Sequence, residues 1–212
     1  MTAQRVILWR HGRTAWNQVN RFQGQADIEL DEVGRAQAAR AASVLAAFEP
    51  AVLWSSDLVR ARATAAALEA LTGLEVTTDK RLREIHVGSW EGLTGDEVDQ
   101  LDPDLSRRLR AGEDVRRSAT GESPSEVAVR VAECLTELAD SAPDGSTVVA
   151  ASHGLAGRVG VAELVGLPLE HCRLLGGMTN CGWVSLDRHR SGRYWRIAAY
   201  NASADPTGDL IS

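Results

Sequence analysis

Two histidines stand out in this chain, each followed by glycine and each placed just after an apolar run. Arg10-His11-Gly12 follows Val6-Ile7-Leu8-Trp9, and Ser152-His153-Gly154 follows Val148-Val149-Ala150-Ala151. A neutral imidazole is a nucleophile. Arginine is the side chain whose planar fork meets phosphate or carboxylate oxygens two at a time. Arg10 and Arg13 flank the first histidine, and Arg60 and Arg62 follow Ser55-Ser56-Asp57-Leu58. A fourth segment, Leu82 to Gly92, sets Glu84 and Glu91 in a glycine-containing loop. A nucleophile, anion binders and an acid able to move a proton are the groups needed for displacement at an anionic centre. Either histidine alone would read as a structural residue.

These residues need elements to hold them. The apolar runs predict strands over 5–10, 51–55, 74–78, 146–151, 182–186 and 194–199. Helices are predicted over 31–48, capped by Asp31, and from about 57 to 71, capped by Ser56 or Asp57 and stopped by Gly73. Ser123-Pro124-Ser125-Glu126 is a capping box that starts a helix running to about 140. A further helix is predicted from 154 to about 165. Alternating strands and helices indicate an α/β domain with a mainly parallel sheet. The last two strands are close enough for a hairpin, which predicts an antiparallel edge strand. Both histidines then fall at carboxyl ends of strands, where open α/β sheets bind ligands. Residues 85–122 are expected to form an irregular, lid-like segment within one domain spanning 1–212, and about 201–212 a mobile tail.

Composition narrows the reading. The 212 residues are 44% hydrophobic, enough for one sizeable core. A formal net charge of −6 argues against nonspecific nucleic-acid binding, so any attraction for an anion has to be local. Lys80 is the only lysine among 23 basic residues, so being an arginine singles out none of them. Cys134, Cys172 and Cys181 are odd in number and unclustered, which suggests neither a disulfide framework nor a zinc site and points to a reduced, cytoplasmic compartment. No run has the length to span a bilayer or serve as a signal peptide.

Taken together, Arg10 to Asn17, Arg21-Phe22-Gln23-Gly24, Ser55-Ser56-Asp57-Leu58 with Arg60, Glu84 with Trp90-Glu91-Gly92, Gly121-Glu122-Ser123 and Ser152-His153-Gly154 resemble the histidine phosphatase superfamily in its phosphoglycerate mutase-like branch. The resemblance covers nearly the whole chain. It implies a three-layer α/β/α sandwich and a metal-independent reaction with no cofactor. His11 would attack a phosphomonoester and become a phosphohistidine. Arg10, Arg60 and His153 would clamp the phosphoryl oxygens. Asn17, Gln23, the backbone of Gly24 and the N–H groups of Gly154 and Leu155 would complete the cradle. Glu84 matches the proton donor, with Glu91 as its competitor for that role. His171 and His189 read as bystanders, whereas His86, two residues from Glu84, stands where it can reach the pocket wall.

Some residues depart from the pattern or go beyond it. Many members carry Glu or Gln where this chain has Arg13, and Trp16 has no role in the shared chemistry. The run Arg107, Arg108, Arg110, Arg116 and Arg117 reads first as a solvated face. The stretch 85–92 lacks the Lys and Tyr usual in cofactor-dependent mutases and the chain is short, which favours hydrolysis over the alternative, a 2,3-bisphosphoglycerate-dependent phosphoglycerate mutase. The intact set of Arg10, His11, Arg60, Glu84 and His153 disfavours a noncatalytic phosphate-ligand-binding module. Leu82 to Thr94 and Leu175 to Asn180 are similar to actinobacterial glucosyl-3-phosphoglycerate phosphatases. That substrate is therefore a candidate beside α-ribazole phosphate, 3-phosphoglycerate and other phosphomonoesters. The expected partner is a small phosphorylated metabolite, with no nucleic acid and no membrane, and the chain is expected to form a homodimer.

Overall fold

The computed structural model describes residues 2–204. In chain order the elements are β1 (Arg5–Arg10), α1 (Ala15–Gln18), α2 (Glu32–Ala46), β2 (Pro50–Ser55), α3 (Val59–Thr72), β3 (Val76–Thr78), α4 (Gly95–Leu101), α5 (Pro103–Ala111), α6 (Pro124–Ser141), β4 (Thr147–Ser152), α7 (Gly154–Leu164), β5 (Trp183–Arg188) and β6 (Trp195–Ala202). The six strands form one sheet in the order β3-β2-β4-β1-β5-β6. β1, β2, β3 and β4 pair in parallel, β5 pairs antiparallel to β1, and β6 pairs antiparallel to β5. The strand that runs against the rest is thus one in from the edge, and β6 returns outside it.

The central strands are apolar without interruption because both of their faces are covered. Val6, Leu8, Val148 and Ala150 point into one core with Val131, Leu135 and Leu138 of α6. Ile7, Trp9, Val149 and Ala151 point into the other with Ala38, Ala41 and Leu45 of α2 and Leu68 of α3. The result is the expected helix–sheet–helix sandwich. Among the described residues no helix is long and apolar enough to cross a membrane.

The parallel pairing of β1 with β4 matters most for function. Its register sets Arg10 opposite Ser152, and the His11 N–H donates to the Ser152 carbonyl at 3.0 Å. Two strands far apart in sequence therefore release their histidines side by side, with ring centroids 5.2 Å apart.

Three local expectations change. The segment read as irregular contains α4 and α5. Their start signals are in the sequence, a Thr94–Glu97 capping box and Asp102 before Pro103, but little of either helix is buried, so the apolar period was weak. Helix α3 begins at Val59, with Leu58 as its N-cap. The Val59 N–H is capped instead by Asp27 from a distant loop, at 2.8 Å. Asn201 and Ala202, expected in the tail, close β6, and residues 205–212 lie outside the described residues.

One backbone contact holds the nucleophile loop against α2. A Cβ on Gly34 would lie 2.0 Å from the Arg13 carbonyl oxygen, and one on Gly12 would lie 2.4 Å from the Gly34 oxygen. Backbone cannot step aside as a flexible side chain can, so Gly34→Ala is expected to destabilise the fold by about 2–3 kcal/mol. Urea denaturation measures this. Because Gly12→Ala strains the same contact, the double variant should lose less than the sum of the two single losses.

Candidate active site

The end of β1 delivers His11, 3% exposed, to the wall of a cavity of about 230 Å³. Its Nδ1 lies 2.7 Å from the Gly12 carbonyl oxygen. A carbonyl only accepts, so Nδ1 carries the hydrogen and Nε2 keeps its lone pair. The loop is pinned from two directions. The Gly12 N–H donates to Thr64 Oγ1 of α3 at 3.1 Å, and the His11 carbonyl accepts from the Cys181 N–H at 3.2 Å and Asn180 Nδ2 at 3.1 Å. Burial, then the charges of Arg60 and Arg10, hold the His11 imidazole well below its ordinary pKa. Nε2 is therefore unprotonated at neutral pH.

His153 enters from the end of β4. Burial is the first cause of its strongly lowered pKa, and Arg60 and His11 add to it. Its Nε2 sits 2.9 Å from Ser56 Oγ. The Leu58 N–H donates to that same Oγ at 3.3 Å, which frees the serine hydroxyl hydrogen for Nε2. A neutral His153 then holds its proton on Nδ1, a buried atom with no partner among the described residues. Ser56, read from sequence only as a helix cap, orients this ring.

Arg60 is fully buried on α3. It donates to the Ala26 carbonyl at 2.7 Å and to the Gly24 carbonyl at 2.8 Å. Burial, opposed by nearby Glu84 and Asp27, lowers its pKa to about 10, so it stays charged. Arg10 donates to the Met178 carbonyl, and burial lowers its pKa as well. Nε of each guanidinium is buried and unpartnered, and neither pairs with a carboxylate among the described residues. A Cβ on Gly154 would lie 3.3 Å from Arg10 Nε, so that glycine makes room for the guanidinium.

Glu84 lines the same cavity. Its Oε1 accepts from the Ile85 and Ala156 N–H groups, both at 2.9 Å, and its Oε2 from the Leu155 N–H at 3.2 Å. This changes one expectation: the Leu155 N–H, assigned from resemblance to a phosphate cradle, is occupied by Glu84, and Leu155 is itself part of the cavity wall. Asn17, Gln23 and Gly24 also line the cavity. The Asn17 carboxamide oxygen takes the Thr14 N–H at 3.1 Å and Asn180 Nδ2 at 3.3 Å, which leaves its NH₂ for a ligand. Gly24 has φ +50°, and a Cβ there would strike Val87 Cγ2 at 2.6 Å.

Other singled-out residues sit outside the cavity wall. Arg13 pairs with Asp31, the α2 cap, at 2.8 Å. Trp16 packs over Gly92. Arg62 pairs with Glu69 at 3.2 Å. His86 Nδ1 lies 3.8 Å from Glu91, whose Oε1 accepts the Gln25 N–H at 3.0 Å. Arg107, Arg108, Arg110 and Arg116 pair with Asp104, Glu113, Asp99 and Glu126. Arg117 breaks from that run. It lines the cavity, has no carboxylate partner among the described residues, and is lowered to about 10 first by burial and then by Arg158. Nothing in its sequence context separates it from its four solvated neighbours. Among the described residues no three His, Cys, Asp or Glu side chains gather as a metal site.

A model of the histidine phosphatase superfamily (branch 1) matches residues 6–203. The chain is 40% identical to a glucosyl-3-phosphoglycerate phosphatase of Mycolicibacterium vanbaalenii, over the full length of both. It is 34% identical to a probable phosphoglycerate mutase of Photorhabdus laumondii, across 88% of this chain and 86% of that one. A mycobacterial glucosyl-3-phosphoglycerate phosphatase solved with VO3 superposes with a TM-score of 0.87 at 40% identity, covering 94% of this chain and 100% of that one.

The two depressed histidines fix a pH dependence of stability. An unfolded histidine gains a proton below about pH 6.5, whereas His11 and His153 stay neutral in the folded state. Stability that is constant above that pH should fall as pH drops below it, by about 1.4 kcal/mol per pH unit for each histidine. Urea titrations between pH 7.5 and 5 should show this fall, and His11→Asn should halve its slope.

Proposed function

Because this chain belongs to the histidine phosphatase superfamily (branch 1) and is a phosphatase, we propose that it works through a phosphohistidine on His11 and acts on a small phosphorylated carboxylic acid. Glucosyl-3-phosphoglycerate, the substrate named for its mycobacterial relatives, is of that class. One observation carries the mechanism. The His11 Nδ1 hydrogen is spent on the Gly12 carbonyl, which leaves an unprotonated Nε2 facing a cavity walled by Arg10, Arg60 and Glu84.

In the first step a bond forms between His11 Nε2 and phosphorus as the ester P–O bond breaks. Glu84 gives its proton to the departing alkoxide. In the second step the carboxylate takes a proton from water, the water oxygen bonds to phosphorus, and the N–P bond breaks. Phosphoryl transfer through a loose transition state asks the protein mainly for position and charge. Arg10 and Arg60 supply both, and the His153 Nδ1–H and the Asn17 NH₂ add neutral donors. Arg117 on the same wall suits a carboxylate carried by the substrate. Three buried free cysteines, Cys134, Cys172 and Cys181, support a reducing, cytoplasmic setting.

Brief incubation with substrate should leave acid-labile phosphate on the wild-type chain and none on His11→Ala, whose kcat should fall by about 10⁴-fold or more. A His11→Ala protein with full activity would end this reading. Arg117→Ala should raise KM for glucosyl-3-phosphoglycerate by roughly tenfold, the value of one charge-assisted hydrogen bond, and leave a phosphomonoester without a carboxylate nearly unchanged. Conversion of 3-phosphoglycerate to 2-phosphoglycerate faster than phosphate release would favour a mutase instead.

A further inference from the structure

The segment that carries Glu84 has no regular structure of its own once its 3-10 turn ends at Leu82. Backbone withdrawn from water needs partners for its carbonyls, and here one side chain supplies most of them. Arg130 projects from α6 and donates through Nη1 to the carbonyls of Arg81 at 2.6 Å and Arg83 at 2.7 Å, and through Nη2 to that of Glu84 at 3.1 Å. Its two remaining N–H groups go to Glu122, Nε to Oε1 and Nη2 to Oε2, both at 2.9 Å. All five donors of the guanidinium are used. Glu122 then grips the far side of the same segment: its Oε2 accepts the His86 N–H at 2.8 Å, and its own N–H donates to the His86 carbonyl at 2.8 Å. Ser152 Oγ takes the one carbonyl left between them, that of Leu82, at 2.8 Å.

We propose that Arg130, oriented by Glu122, is a positioning residue that sets the place of the Glu84 carboxyl opposite His11. Neither Arg130 nor Glu122 lines the cavity. They act on the backbone on both sides of Glu84, and the carboxyl's own contacts to Leu155 and Ala156 of α7 hold the other end of the side chain. Losing the clamp lets the acid drift while nucleophile and phosphate binders stay in place. A misplacement of about 1 Å can cost about 10²-fold in rate. This inference rests on Glu84 as the proton donor.

Leaving-group dependence tests it. p-Nitrophenolate departs without needing a proton, whereas the alkoxide of 3-phosphoglycerate needs one. kcat/KM covers the steps up to phosphohistidine formation and is measured for both substrates. Glu84→Gln should lose about 10²-fold or more on 3-phosphoglycerate relative to p-nitrophenyl phosphate. Arg130→Gln should lose roughly 10- to 100-fold on 3-phosphoglycerate and less than about threefold on the aryl ester. Arg130→Lys, which keeps the charge and some donors but not the planar five-donor fork, should recover part of that loss, and Glu122→Gln should show a milder loss of the same selectivity. If Arg130→Gln does not fold, Arg130→Lys and Glu122→Gln are read by the same criterion. A selective Glu84→Gln with Arg130 and Glu122 variants that lower both substrates alike, or neither, overturns the clamp and leaves Glu84 as the acid. An unselective Glu84→Gln overturns both.

Discussion

Positive charge withdrawn from water with no carboxylate paired to it among the described residues is the constraint around which this structure is arranged. A carboxylate on Arg10 or Arg60 would cancel the field that an anionic ligand needs, yet a guanidinium left bare in a protein interior is costly. The fold answers with carbonyls. Gly24, Ala26 and Met178 absorb the outer donors of the two arginines, while Nε of each stays unspent. The loop 21–28 is thereby fixed by the arginine it serves, and Gly24 has to be glycine because its φ is +50° and a Cβ would strike Val87 and Glu91. Burial first, and then the same field, keeps both imidazoles neutral, so the buried arginines bear on the loop, the nucleophile and the second histidine together.

Strand topology decides where that field can be used. The chain leaves β1 for one face of the sheet and returns through β4 from the other, so the two carboxyl ends meet with no intervening strand. Pairing Arg10 with Ser152 then joins two Arg/Ser-His-Gly corners that are about 140 positions apart in the chain. Each corner needs a glycine for a different spatial reason: Gly12 lets α2 approach, and Gly154 lets Arg10 pass.

The strands and the main helices were legible in the sequence because each rests on a local signal, and the family resemblance named Arg10, His11, Asn17, Gln23, Gly24, Arg60 and Glu84, which line one cavity. Buried strands give unbroken apolar runs, and Asp31 and Ser123 cap the helices they precede. What was not legible depends on partners distant in sequence. Ser56 lies two residues before the Leu58 N-cap of α3, where its Oγ takes the Leu58 N–H and serves His153, and Asp27 caps the Val59 N–H from another loop. The Leu155 N–H reads as available to phosphate, yet Glu84, 71 positions earlier in the chain, occupies it. Arg117 and Arg130 were hidden by composition. In a chain whose basic residues are nearly all arginine, type says nothing about which guanidinium is buried, and only packing separates Arg117 from its ion-paired neighbours.

The hydrogen bonds around His11 and Glu84 also divide the molecule in a way the sheet alone does not reveal. His11 takes its reference from the α2 and α3 side, through Gly34 and Thr64. Glu84 takes its reference from the opposite side, through Arg130 of α6 and the first turn of α7. Nucleophile and acid are therefore mounted on two different slabs, and the sheet between them is the gauge that sets their separation. A change in the thickness or twist of that gauge would move the acid relative to the nucleophile even with every contact of Gly34, Thr64 and Arg130 intact.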